Sequence, residues 1–274
     1  MNTALNRIGP IMLVGAGKMG VALARGWLDA GLAASQLVIV HPRPGEDLLE
    51  LARDYGLALS TEASGLSPNV LVVGVKPQVM DEVLESLAPV IAPHTLVVSI
   101  AAGIDLARLA SKAGTQRVMR TMPNTPVQVR KGMIGVVSGP DVTAEDKVAM
   151  DTLLSASGQV IWLDDEAQLD ALTAVSGSGP AYIFHMVEAL AAAGKRQGLP
   201  DDIAEQLARG TVIGAAALMD AGTVSATVLR ENVTSPKGAT AAGLAVLMGS
   251  HGLIELMDRT VSETRKRTEE LGRI

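Results

Sequence analysis

Residues 11–28 read IMLVGAGKMGVALARGWL. Ile11, Met12, Leu13 and Val14 form a short, wholly apolar run that leads into the G-x-G-x-x-G pattern of Gly15, Gly17 and Gly20. A run of that length and composition is a strand buried on both faces, and the residues after Gly20 have helical composition. Gly15 permits a tight turn, Gly17 lets backbone come close to a pyrophosphate, and Gly20 allows close helix and strand packing. The first amides of the helix then face the anion. A bare glycine motif often marks only a turn, but between a strand and a helix it points to dinucleotide binding.

The alternation continues outward from this unit. Strands are expected at 11–14, 37–40, 70–75 and 95–100, with helices at 18–30, 45–55, 77–87 and 105–113 between and after them. Further short strands are expected at 117–121, 133–137 and 160–163, with a helix at 143–155. This succession predicts an α/β, Rossmann-type doubly wound sheet. After WLDDEAQ (162–168) the strands stop, and Ala-rich helices are expected at 169–175, 181–197, 201–220, 239–247 and 253–271. The boundary is placed near Asp164, giving a dinucleotide-binding domain over 1–164 and an all-helical domain over 165–274. No repeat or low-complexity tract is evident.

Composition narrows the function. The 274 residues are 48% hydrophobic and 19% charged, enough for one large or two modest domains with cores of their own. A formal charge of −6, with two Trp, two Tyr and one Phe, argues against nucleic-acid binding. Cysteine is absent, which removes disulfides, thiolate ligands and a cysteine nucleophile. His41, His94, His185 and His251 are scattered, and His185 with Glu188 at i, i+3 reads as a packed or surface pair, so no metal site is expected. The apolar run 211–219 is too short to span a membrane and is followed by Asp220. The N-terminal stretch lacks the pattern of a secretory signal, and the expected compartment is the cytoplasm.

At the end of the second strand a NAD site usually carries Asp or Glu. Here VIVHPRPGED offers His41 and Arg43 instead. A guanidinium suits a 2′-phosphate, so NADPH is the expected cofactor, with NADH also usable.

Five further stretches follow in order: VGVKPQ (73–78), VVSIAAGI (97–104), RTMPNTP (120–126), VSGSGPAY (175–182) and TSPKGAT (234–240). Together they resemble the pyrroline-5-carboxylate reductases, from Ile11 into the final helix. The resemblance implies reduction of 1-pyrroline-5-carboxylate to L-proline by hydride transfer from NAD(P)H, the last step of proline synthesis. It also implies an intertwined homodimer made by the helical domain, with dimers often assembling into a decamer. Carried over to this chain, Gly15, Gly17, Lys18, Met19 and Gly20 would hold the pyrophosphate. Val75, Lys76, Pro77, Ala101, Ala102 and Gly103 would line the nicotinamide ribose, and Asn124 would lie near the nicotinamide. Lys76 also reads as a solvated residue before Pro77, and Asn124 as a turn residue before Pro126.

In TSPKGAT, Ser235 followed by Pro236 reads as a helix N-cap with proline at the first helical position. The amides of Lys237, Gly238 and Ala239 are then free to take a carboxylate. Thr240, one turn after Pro236, would point toward the same ligand, and the resemblance places this threonine beside the ring nitrogen. Ser176, Gly177, Ser178 and Gly179, ahead of Pro180, would close the other side. Two departures from the family pattern stand out. Lys237 replaces a usual glycine, which costs energy if the position needs positive φ. Thr61 replaces an asparagine that often meets the adenine ribose.

Two alternatives differ in testable ways. A β-hydroxyacid dehydrogenase relative would carry a catalytic lysine soon after the glycine-rich opening of the helical half, and SGSGPAYIFHM has none. A non-catalytic, NADP-binding redox regulator would bind cofactor without turnover.

Overall fold

The computed structural model describes residues 3–63 and 65–272. After a short helix α1 (Thr3–Asn6), the chain builds β1 (Ile11–Val14), α2 (Lys18–Asp29), β2 (Leu37–Val40), α3 (Glu46–Tyr55) and β3 (Leu59–Ser60). Next come β4 (Val70–Val73), α4 (Met80–Leu87), β5 (Leu96–Ser99), α5 (Leu106–Ala113) and β6 (Val118–Pro123). The sheet is completed by β7 (Gly132–Ser138), α6 (Ala144–Ser155) and β8 (Gly158–Trp162). Helices follow: α7 (Glu166–Leu172), a π-helical turn (Thr173–Gly177), α8 (Gly179–Arg196), α9 (Asp201–Asp220), α10 (Ala226–Asn232), α11 (Ala239–Leu247) and α12 (Leu253–Gly272).

The eight strands lie in the order β3-β2-β1-β4-β5-β6-β7-β8. β1 pairs in parallel with both β2 and β4, Val14 lying opposite Val40 on one side and Val73 on the other. The order reverses around β1, and ligands of open α/β sheets bind in that crevice. β7 runs antiparallel to β6. The link 124–131 is too short for the crossover a parallel pair requires.

Alternation along β1 supplies both faces of the core. Ile11 and Leu13 join Leu23 and Trp27 of α2, Leu48 and Leu51 of α3 and Met150 of α6. Met12 and Val14 join Leu71 and Val73 of β4, Leu84 of α4 and Leu109 of α5. Each such side chain contributes about 1.5–3 kcal/mol on full burial, which pins the strand's end, and so the glycine loop, in place.

The chain divides into two compact units, one reaching Ser178 and taking in the residues from Arg265 on, the other Gly179–Thr264. In the second unit only Ala191, Ala204 and Ala208 are buried. Phe184, Ile213, Leu218, Val246 and Ile254 are each more than half exposed. Helices this rich in uncovered apolar side chains have the surface of an association domain, since monomers rarely expose large apolar patches.

Three short elements went unanticipated: α1, β3 and α10. Helix α7 begins at Glu166, earlier than the expected 169, because the Asp165 side chain accepts from the Gln168 amide and caps it there. The expected helix at 77–87 opens instead with a 3₁₀ turn at Pro77–Val79.

Candidate active site

The glycine loop leaves β1 at the topological switch. The Gly15 amide donates to the Val40 carbonyl at 3.0 Å, tying the loop to the end of β2. Gly15 has φ +81, and a Cβ there would lie 2.4 Å from Val75 Cγ1 and 2.9 Å from the Val75 amide nitrogen. Only glycine meets both demands. Gly17 is the N-cap of α2, and a Cβ on it would meet nothing within 4 Å. The protein itself therefore does not require glycine at 17, and the space beside it is open to a ligand. The amides of Lys18, Met19 and Gly20 open the helix and face outward as unpaired donors. The close packing expected of Gly20 is only ordinary contact, 3.5 Å from its Cβ position to Leu13 Cδ2, because the tight approach falls at Gly15.

Beside this loop lies a cleft of about 690 Å³ lined by Gly15, Val40, Pro42, Thr61, Ala63, Val75 and Val83, among others. Thr61 thus stands in its wall. His41 flanks a second hollow with Gly17 and Lys18. The His41 ring Nδ1 accepts from the Arg43 amide at 3.2 Å, which holds the HPR turn in shape. The Arg43 side chain is exposed, next in sequence to Pro42 of the cleft wall.

Three further edges converge on the carboxyl ends of β4, β5 and β6. Lys76 caps the Pro77–Val79 turn with extended backbone and an exposed side chain. Ala101 donates its amide to Ser99 Oγ at 3.2 Å, with Ala102 and Gly103 (φ +77) completing the turn after β5. Asn124 is buried at the end of β6, where its Nδ2 donates to the carbonyl and hydroxyl oxygens of Ser176, each at 3.1 Å. Its Oδ1 accepts from the Met133 amide at 2.9 Å. Arg120, also buried, pairs with Glu166 and Asp170 of α7.

Gly177 lies against Met122, and the Ser178 amide donates to the Thr173 carbonyl at 3.0 Å, the i to i+5 bond of a π-turn. Gly15, Gly17, Lys18, Met19, Gly20, His41, Arg43, Thr61, Val75, Lys76, Pro77, Ala101, Ala102, Gly103, Asn124, Ser176, Gly177 and Ser178 all belong to the first unit, and Gly179, Ser235, Gly238, Ala239 and Thr240 to the second.

The TSPKGAT stretch differs in detail from its expected form. Ser235 is not an N-cap, and Pro236 is not the first helical residue: α11 begins at Ala239 with Gly238 as its cap. The Gly238 amide donates back to the Ser235 carbonyl at 3.0 Å, and Lys237 has φ +60. Proline followed by positive φ, closed by that hydrogen bond, is a type II turn with lysine where glycine is favoured. Of the three amides expected to be free, that of Gly238 is spent on this turn, and the amides that open the helix are those of Ala239, Thr240 and Ala241.

Sequence reasoning missed Gly74 and Met122. A Cβ on Gly74 would lie 2.9 Å from Ile100 Cδ1 and 3.1 Å from the Gly15 carbonyl oxygen, so the chain leaving β4 passes the glycine loop closely at a residue without a side chain. Met122 is signalled by its position two residues from both Arg120 and Asn124 on one strand face.

Among the described residues no group of His, Asp or Glu could hold a metal ion, and no helix is long and apolar enough to cross a membrane.

Residues 166–271 match the family model for pyrroline-5-carboxylate reductase dimerisation, and residues 10–103 match that for coenzyme F420-dependent NADP oxidoreductases. A pyrroline-5-carboxylate reductase of Pseudomonas aeruginosa is 38% identical over 265 residues, 96% of each chain. That of Pisum sativum is 38% identical with 94% of each chain covered. A solved structure of the reductase from Coxiella burnetii superposes with a TM-score of 0.89 at 32% identity, covering 96% of this chain and 98% of its own. The Plasmodium falciparum pyrroline carboxylate reductase, solved with NADP bound, superposes with a TM-score of 0.81 at 25% identity, covering 97% and 99%. With both halves accounted for at this identity and coverage, the chain belongs to the pyrroline-5-carboxylate reductase family.

Proposed function

We propose that this protein reduces 1-pyrroline-5-carboxylate to L-proline with NADPH, as the last step of proline synthesis. The observation that carries the reading is the full-length match, in which the glycine-loop half and the helical half both follow one family. The local chemistry fits a dinucleotide: unpaired amides at the start of α2, an open face at Gly17, and the cleft beside Thr61 and Val75. Bound there, the reduced nicotinamide supplies the hydride for the ring C=N carbon.

The chain's own residues position and polarise. Lys18, Met19 and Gly20 present amides to the pyrophosphate, and Arg43 with His41 takes the 2′-phosphate side. Thr61 meets the adenosine half, and Val75, Lys76, Pro77, Ala101, Ala102 and Gly103 flank the nicotinamide half. On the substrate side, the amides of Ala239, Thr240 and Ala241 take the carboxylate at the positive end of α11. The Thr240 hydroxyl hydrogen-bonds the ring nitrogen and stabilises the developing amine. Ser235 and Gly238 lie in the turn that leads into this helix, and Ser176, Gly177, Ser178 and Gly179 are further substrate-binding residues of this proposal. A protonated imine is already electrophilic, so a hydrogen bond suffices where a strong acid would otherwise be needed.

The uncovered apolar helices of the second unit and the dimerisation match support a homodimer through these helices; assembly into a decamer and a cytoplasmic location belong to the same proposal. The test is oxidation of NADPH and NADH, in parallel, with pyrroline-5-carboxylate. The wild type turns over with NADPH preferred, and Thr240→Ala lowers kcat by about 10²- to 10³-fold, the range for loss of one catalytic hydrogen bond. Cofactor binding without turnover by the wild type would favour a regulator instead.

A further inference from the structure

Strand β6 presents Arg120, Met122 and, continuing in extended conformation, Asn124 on one face. Each meets the segment from α7 to the π-turn. Arg120 pairs with Glu166 and Asp170, Met122 Cε lies 3.2 Å from where a Gly177 Cβ would stand, and Asn124 holds Ser176. Glu166 Oε1 also accepts from the Leu106 amide at 2.8 Å, so α7 is braced against the start of α5, just beyond the turn of Ala101, Ala102 and Gly103.

The pattern at Asn124 explains itself from the sequence. In an α-helix the Ser176 carbonyl would accept from the residue four positions on, but that residue is Pro180, which has no N–H. Asn124 supplies the missing donor. Its Nδ2 lies 3.1 Å from both the carbonyl and the hydroxyl oxygen of Ser176, and its oxygen takes Met133 N–H, which fixes the orientation of the amide. Turning it over would set oxygen against the Ser176 carbonyl and NH₂ against the Met133 amide. The Asn124 amide is thus engaged at both ends within the protein.

We infer that Asn124 is a positioning residue for the imino-acid side of the reaction, holding the Ser176 turn in its working conformation, and not a ligand of the cofactor. The inference rests on the proposed function, which sets Ser176 against the substrate.

The experiment compares wild type with Asn124→Asp, which keeps the acceptor for Met133 but loses both donors to Ser176. The dissociation constant for NADPH is read by fluorescence titration, and KM for pyrroline-5-carboxylate and kcat by NADPH oxidation. KM for the imino acid rises and kcat falls, with kcat/KM lower by about 10²-fold, the scale of an ångström-sized misplacement, while NADPH affinity stays within about twofold, under half a kcal/mol. A comparable loss of NADPH affinity, or no change in either constant, would overturn the inference. Asn124→Ser carries the same comparison, with the same two outcomes, should the aspartate variant not yield folded protein. Failure of the wild type itself to turn over would remove the underlying reading, a result distinct from an unaffected variant beside an active wild type.

Discussion

A Cβ on Gly15 would stand 2.4 Å from Val75 Cγ1, while one on Gly17, two residues along the same loop, would touch nothing. The two glycines therefore answer to different constraints, and alanine separates them. Gly15→Ala forces positive φ on alanine and overpacks Val75, at about 1–3 kcal/mol of stability. Gly17→Ala leaves thermal stability close to wild type but lowers NADPH affinity by tenfold or more, about 1.4 kcal/mol, because its methyl enters the space meant for phosphate. Thermal melts and NADPH titration of both variants check the split.

Arg43 is exposed in the HPR turn that His41 braces, next to Pro42 of the cleft wall. Arg43→Ala is expected to raise KM for NADPH by roughly ten- to a hundredfold, the worth of about 1.5–3 kcal/mol for a hydrogen bond to a charged group, with KM for NADH little changed. Equal loss with both cofactors in steady-state assays would move the 2′-phosphate elsewhere.

Lys237 occupies the type II turn ahead of α11 at φ +60. An L-residue in that region pays about 1–2 kcal/mol. Lys237→Gly is therefore expected to raise the thermal midpoint at fixed protein concentration, and Lys237→Val to lower it. A melt in which glycine fails to stabilise would show that lysine contributes a compensating interaction.

The carboxyl of Asp81 lies below its ordinary range because Arg108 donates to it at 2.8 Å, with the charges of Arg108 and Lys112 adding to the effect against desolvation. A folded-state value below the unfolded one gives stability that is present above the unfolded pKa and is lost as pH falls through the folded one. Asp81→Asn should then cost about 0.2–1 kcal/mol near pH 7, the range of partly exposed pairs, and almost nothing at a pH below the folded-state pKa, where the wild type has itself lost the charge. Urea melts at the two pH values read the difference.

The strands and the glycine loop were legible because their signals are local. Apolar runs such as Ile11–Val14 and Leu37–Val40 need no partner to be recognised, and both strands have the expected bounds. The reversal at β7 was not legible, since it follows from the length of the 124–131 link rather than from any residue in the strand. Ser-Pro suggested the wrong first residue for α11 because the type II turn and a proline-initiated helix share that dipeptide, and only the backbone at Lys237 tells them apart. The role of Asn124 was hidden for a similar reason: its partner Ser176 is 52 residues away.

The central claim is hydride delivery to a ring C=N carbon, and its most direct test follows the hydrogen itself. Wild-type protein is given NADPH carrying deuterium at the transferable C4 position together with pyrroline-5-carboxylate, and the product is examined by mass spectrometry and NMR. The account predicts L-proline with one deuterium at C5, formed in step with cofactor oxidation. Cofactor oxidised without deuterated proline, or no reaction in the presence of tight NADPH binding, would contradict it.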